Sequence, residues 1–211
     1  MSLASLRASW LSERGRNSAM SIPFIPAVYS SSRGPAAIDM LTLHYTATPS
    51  LEACVALFRD PARRVSCHYI VGTDGQTVQM VYDQDCAWHC GVSQWKGRER
   101  LNPWSLGIEI VNWGRLVRRE EEFFCWPDEY TVPYAGPAPV FARGDWWAPF
   151  PLFQLEQVTR LSALLVERYR IPLPYIVRHS DIAPKRKIDP GPAFPWLSFK
   201  ARMRHLIARR W

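Results

Sequence analysis

No stretch of this chain approaches the ~20 consecutive apolar residues that cross a bilayer, so no membrane span is expected. Cysteine is sparse and badly placed for bridging. Cys54, Cys67, Cys86, Cys90 and Cys125 form an odd set without repeated spacing, a poor disulfide framework. Cys86 and Cys90 miss the C-x-x-C spacing of a zinc knuckle, and buried thiols in a reducing compartment are expected. The first 20 residues carry Arg7, Glu13, Arg14 and Arg16 and hold no apolar run of signal-peptide length. A protein that is cytoplasmic as synthesised is therefore expected, with Met20 an alternative start. No block of Arg and Lys interleaved with aromatics marks a nucleic-acid platform, and no nucleic-acid partner is expected. There is no internal repeat, and histidine occurs only five times.

What remains is a chain of 211 residues with 47% hydrophobic and 21% charged residues, the composition of a globular domain. That length buries a core without help from disulfides or metal, so a metal site here would serve chemistry. The net charge of +7 suits an anionic partner or a solvated basic face, with local density at Arg202, Arg204, Arg209 and Arg210.

Residues 1 to 36 read as irregular. Ile38–Thr46 and Ser105–Trp113 have the short apolar character of buried strands. Ser66–Tyr82 is a hairpin signal around Thr73-Asp74-Gly75. Leu51–Asp60 reads as a short helix capped by Ser50. Leu155, Val158, Leu161, Leu165 and Tyr169 stand at helical spacing, and Pro172 ends that helix. Tyr175–His179 is a last short strand, followed by a proline-rich turn and a terminal helix. Residues 114–151 are rich in Pro and Trp and too irregular for regular elements, so a functional loop insertion is expected. The fold class is α/β: a single domain, residues 37–211, with a central mixed β-sheet flanked by helices.

His44 and His179 fall at the C-terminal ends of two of these strands, where α/β folds open their ligand crevice. Asp189 follows His179 by ten positions in a stiff loop with Pro184, Pro190, Pro192 and Pro195. Two imidazoles and one carboxylate with an open fourth position make a hydrolytic zinc site at the crevice by the sheet edge. Lone strand-end histidines also serve as hydrogen-bonded structural residues, and spacing alone leaves both meanings open.

Five ordered segments, LTLHYTATPS, VSCHYIVGTDG, CAWHCGVSQWKGRERLN, SLGIEIVN and HSDIAPKRKIDPGPAFPW, resemble the type 2 N-acetylmuramoyl-L-alanine amidases. That family includes AmpD-type recycling enzymes, T7-like phage lysozymes and peptidoglycan recognition proteins. The resemblance runs from Ile38 to the C-terminus, interrupted by the insertion. It implies Zn2+ held by His44, His179 and Asp189, and hydrolysis of the bond between the lactyl group of N-acetylmuramic acid and L-alanine. It implies Glu109 as the carboxylate that takes the proton of the attacking water, and Lys187 as the cation beside the carbonyl oxygen. Cys67 stands where the T7-like branch has a functional tyrosine, which favours the Glu109 version.

Each residue also has a plainer meaning. Glu109 between Ile108 and Ile110 could face solvent, and Lys187 sits in the basic run Lys185-Arg186-Lys187. His68 is taken as structural or near the site. Trp88 and His89 match a segment that lines the substrate groove, with Arg98 and Asn102 as further bordering residues. Peptidoglycan or muropeptide is the implied substrate, and a monomer is expected. A cytosolic recycling enzyme and a phage endolysin released through a holin both fit. The insertion, with Trp113, Trp126, Trp146 and Trp147, either caps the groove or packs as a flap. A non-catalytic peptidoglycan-binding module and a basic nucleic-acid-binding protein are the competing function classes.

Overall fold

The computed structural model describes residues 22–126 and 132–209. Expectations placed on residues 1–21 and on Arg210 lie outside the described residues. In chain order the elements are β1 (Met40–Tyr45), α1 (Leu51–Phe58), β2 (Tyr69–Val71), β3 (Thr77–Gln79), β4 (Ser105–Ile110) and β5 (Arg115–Arg119). They continue with β6 (Glu122–Cys125), β7 (Val140–Ala142), β8 (Asp145–Trp147), α2 (Leu152–Tyr169), β9 (Ile176–Arg178), α3 (His179–Ile182) and α4 (Trp196–Ala208).

The central sheet has the order β9-β1-β4-β2-β3. All pairs are parallel except the hairpin β2–β3, so the sheet is mixed, within a single domain. Alternation along the strands assigns two faces. Leu41, Leu43, Leu106, Ile108 and Ile110 join Val158, Leu161 and Leu165 of α2 and Phe199 and Met203 of α4 in the main core. On the opposite face Ile70 and Val78 pack with Leu51, Cys54, Val55 and Phe58 of α1. Ser50 caps α1 as the sequence predicts, its Oγ accepting the Ala53 N–H at 3.1 Å.

From β1 the chain crosses over β4 to reach β2, whereas from β4 it crosses over β1 to reach β9. The helices on these routes lie on opposite faces, so the chain departs in opposite directions from the adjoining ends of β1 and β4. A crevice opens there. The N-terminal segment is pinned beside the sheet: Ile25 N–H donates to Gln79 O and Ala27 N–H to Met80 O, both at 2.9 Å.

The insertion departs from the sequence expectation. Rather than an irregular loop, it folds into a four-stranded antiparallel sheet of order β6-β5-β8-β7. Two-residue turns make this possible. Arg143 (φ 54) and Gly144 (φ 85) both take the left-handed backbone of a tight hairpin between β7 and β8. Strands of three to five residues carry too few alternations to be recognised along the chain. Trp113, Leu116, Cys125 and Ala148 form the insertion's own small core.

Candidate metal centre

His44 on β1 and Glu109 on β4 are direct partners in the parallel register, so both side chains leave the same face at the crevice. His179 opens α3 immediately after β9, bringing a second imidazole to the same end of the sheet. The proline-rich loop then folds back: Ser180 N–H donates to Asp189 O at 3.0 Å. His44 Nδ1, His179 Nδ1 and Asp189 Oδ2 form a triangle with sides of 2.9, 3.0 and 3.1 Å. Among the described residues these three form the one cluster able to hold a metal ion. All three are buried.

Protonation decides what the triangle can hold. His179 Nε2 lies 3.1 Å from Cys90 O, which only accepts, so the ring proton sits on Nε2 and Nδ1 presents a lone pair. Burial and the neighbouring His179 push His44 down to about 4, keeping it neutral as a ligand must be. Burial opposes ionisation of Asp189, but its contacts with His179 and His44 outweigh it and hold the carboxyl well below the usual range. Two imidazole nitrogens and a carboxylate oxygen at such distances form a donor set that could hold a cation among them. The donor set and count fit zinc with one position left for water or substrate.

Glu109 is half-buried, yet its Oε2 is enclosed and has no hydrogen-bond partner. Burial and the charge of Asp189 push its carboxyl well above the usual range, and Lys187 pulls the other way. A carboxyl so placed holds a proton more firmly than an exposed one, the property of a group that exchanges protons in a buried site. The half-buried Lys187 acts electrostatically on both His44 and Glu109.

The four residues expected to border the substrate have different surroundings. His89 is buried directly behind the metal centre, its Nδ1 lying 3.0 Å from His44 Nε2. Asn102 holds that segment, its Oδ1 accepting the His89 N–H at 3.2 Å and the Cys90 N–H at 2.7 Å. Trp88 stacks on Tyr29 at 5.1 Å and donates from Nε1 to Ser31 Oγ. Arg98 forms two bonds of 2.7 and 2.9 Å to Asp39 and lies over the Trp104 ring. The structure thus brings His89 and Asn102 to the layer behind His44 and His179 and engages Trp88 and Arg98 elsewhere.

Several supporting residues carried no signal that motif spacing could expose. Arg33 is buried and donates to the carbonyls of Pro103, Asp83 and Asp85, tying the N-terminal segment beneath β4. Trp147 of the insertion lies against Gly191, where a Cβ would sit 2.6 Å from the ring. The insertion thereby buttresses the loop that carries Asp189. Gly107 alone of these carried a signal along the chain, because glycine inside a central strand marks a close approach. A Cβ there would meet the His89 ring at 2.6 Å.

Two cavities adjoin the loop between α3 and Asp189. One, of about 930 Å³, is lined by Gly91, Ser93, Trp95, Arg100, Ala183 and Arg186. The other, of about 620 Å³, lies between the insertion and α4 and is lined by Arg115, Arg143, Trp147, Lys187, Gly191 and Trp196.

Residues 34–192 match the family model for N-acetylmuramoyl-L-alanine amidase. The chain belongs to the N-acetylmuramoyl-L-alanine amidase family. Within that family it is 35% identical over 166 residues to the amidase AmiD of Escherichia coli, covering 75% of this chain and 51% of that protein. It is 32% identical to the E. coli 1,6-anhydro-N-acetylmuramyl-L-alanine amidase AmpD, covering 65% of this chain and 57% of that one. The chain thus spans little more than half the length of these relatives. The solved AmiD complex with anhydro-N-acetylmuramic acid-L-Ala-D-γ-Glu-L-Lys superposes with a TM-score of 0.62 at 32% identity, over 85% of this chain and 60% of that one. A selenomethionine AmpD structure gives a TM-score of 0.64 at 25% identity, over 87% of this chain and 95% of that one. No helix among the described residues of this family member is long and apolar enough to cross a membrane.

Proposed function

We propose that this amidase-family protein is a zinc-dependent hydrolase of the amide bond between the lactyl group of N-acetylmuramic acid and L-alanine, in peptidoglycan or muropeptides. The observation carrying this reading is the convergence of His44 Nδ1, His179 Nδ1 and Asp189 Oδ2 beside the unpartnered Oε2 of Glu109. His44, His179 and Asp189 would hold the zinc. When bound, zinc supplies a Lewis acid that makes water a nucleophile near neutral pH.

Glu109 takes the proton released by the attacking water at Oε2, where no other hydrogen bond competes. Its raised proton affinity then suits delivery of that proton to the leaving L-alanine nitrogen. Lys187 places a positive charge where negative charge develops on the carbonyl oxygen. The burial of the three ligand residues keeps bulk water from screening these charges. The wall context takes either form: AmpD-like processing of small fragments or attack on intact sacculi.

The test is release of new L-alanine amino termini from digested sacculi and from 1,6-anhydro-muropeptide, with zinc content measured on the same sample. Metal-replete protein that frees no amine from either substrate would reduce the protein to a binding module.

A further inference from the structure

Both histidines of the metal centre present Nδ1, and the dipeptide behind them accounts for that choice. We infer that His89 and Ser105 are positioning residues that lock the tautomer of His44, and that His89–Cys90 as a unit sets the proton positions of both metal-facing imidazoles. The inference rests on the zinc reading above and deepens it.

The proton order follows from one end. Ser105 Oγ makes its shortest contact, 2.9 Å, with Leu101 O and donates there, while Cys90 Sγ lies 3.4 Å from both Ser105 Oγ and His89 Nδ1. Ser105 Oγ therefore accepts from His89 Nε2, 3.1 Å away. With its proton on Nε2, His89 has an unprotonated Nδ1, which faces His44 Nε2 at 3.0 Å and accepts from it. His44 is thereby protonated on Nε2 and turns the Nδ1 lone pair to His179 and Asp189. The next residue does the same for the second imidazole: Cys90 O accepts from His179 Nε2 at 3.1 Å.

Three features hold this arrangement in place. Asn102 Oδ1 clamps both backbone N–H groups of the dipeptide. Arg186 donates to Cys90 O at 2.7 Å, fixing that carbonyl from the other side. Gly107 leaves room for the His89 ring, which any side chain on β4 at that point would displace. Ser105 and Gly107 stand two apart on β4 and so face the same way as Glu109. One strand therefore carries the carboxyl beside the metal, the clearance for the relay ring and the hydroxyl that orders it.

The experiment combines long-range proton–nitrogen NMR of the imidazoles with zinc affinity by chelator competition, on the protein before and after Ser105→Ala. The metal-free wild type should show His44 protonated on Nε2 alone. Ser105→Ala should give mixed His89 and His44 tautomers and weaken zinc binding by roughly 10- to 100-fold. Ser105→Thr, which keeps the hydroxyl, should restore both. Where Ser105→Ala does not fold, His89→Leu should show the same loss and His89→Gln, which retains an acceptor, the recovery. A single His44 tautomer with wild-type zinc affinity in Ser105→Ala or His89→Leu would overturn the inference. Wild-type protein that keeps the ordered tautomers but binds no zinc would overturn the zinc reading instead.

Discussion

His44 and Glu109 sit opposite each other on adjacent parallel strands, at the register position where the chain leaves those strands in opposite directions. Sheet pairing, rather than a flexible loop, thus sets the spacing between the candidate ligand His44 and the carboxyl beside it.

Removing a ligand should abolish both metal and turnover. Asp189→Ala takes away the only carboxylate of the triangle and leaves two neutral imidazoles. Zinc content by plasma mass spectrometry should fall below stoichiometric, with turnover undetectable. Full metal occupancy with normal rate would refute the ligand assignment.

Removing the base should separate metal from rate. Glu109→Gln keeps the shape of the side chain and its place on β4, so zinc should be retained. Loss of the proton acceptor should lower kcat by ~10²–10⁴-fold. A near-wild-type rate in the zinc-loaded variant would assign the proton transfer to another group.

Acid should destabilise the fold through His68. Burial and the nearby Arg33 charge push this imidazole down to about 3, against an ordinary value near 6.5. Below pH ~6.5 the unfolded chain therefore binds a proton that the folded one refuses, so stability falls as pH falls towards 3. The expected slope from this residue is about 1.4 kcal/mol per pH unit. Urea midpoints of wild type and His68→Gln between pH 7 and 4.5 check it. Equal slopes would remove His68 as the source.

The insertion should affect the metal loop from a distance. Trp147 is 5% exposed and packs on Gly191, two residues beyond Asp189. Trp147→Ala should cost roughly 3–5 kcal/mol of stability and also weaken zinc retention. Chelator competition below the melting transition separates the two effects. Unchanged zinc affinity would confine Trp147 to the insertion's own packing.

The cavity beside Lys187 should matter more for large anionic substrate than for small. Arg143 lines it from the β7–β8 turn and is exposed. Arg143→Glu should slow hydrolysis of intact sacculi, most at low salt. The rate on a 1,6-anhydro-muropeptide should stay unchanged. Equal effects on both substrates would argue that the cavity does not discriminate size.

Local chemistry made much of this protein legible in one dimension. The helical spacing from Leu155 to Tyr169, the Ser50 cap and the apolar strand runs each act over a few residues, and the structure follows them closely. The positions of His44, His179 and Asp189 left a structural role and a metal site both open, the resemblance named them as ligands, and the structure brings the three together. Tertiary structure alone decided the rest. The four short strands of the insertion are stabilised by partners across the sheet, and Trp147 finds Gly191 only through a contact far along the chain. His89 shows the difference most clearly. Its sequence neighbourhood suggests a groove residue, yet the pairing of β1 with β4 puts it between His44 and Ser105. Hydrogen bonds across long sequence separations determine where its proton resides, and no pattern along the chain encodes that.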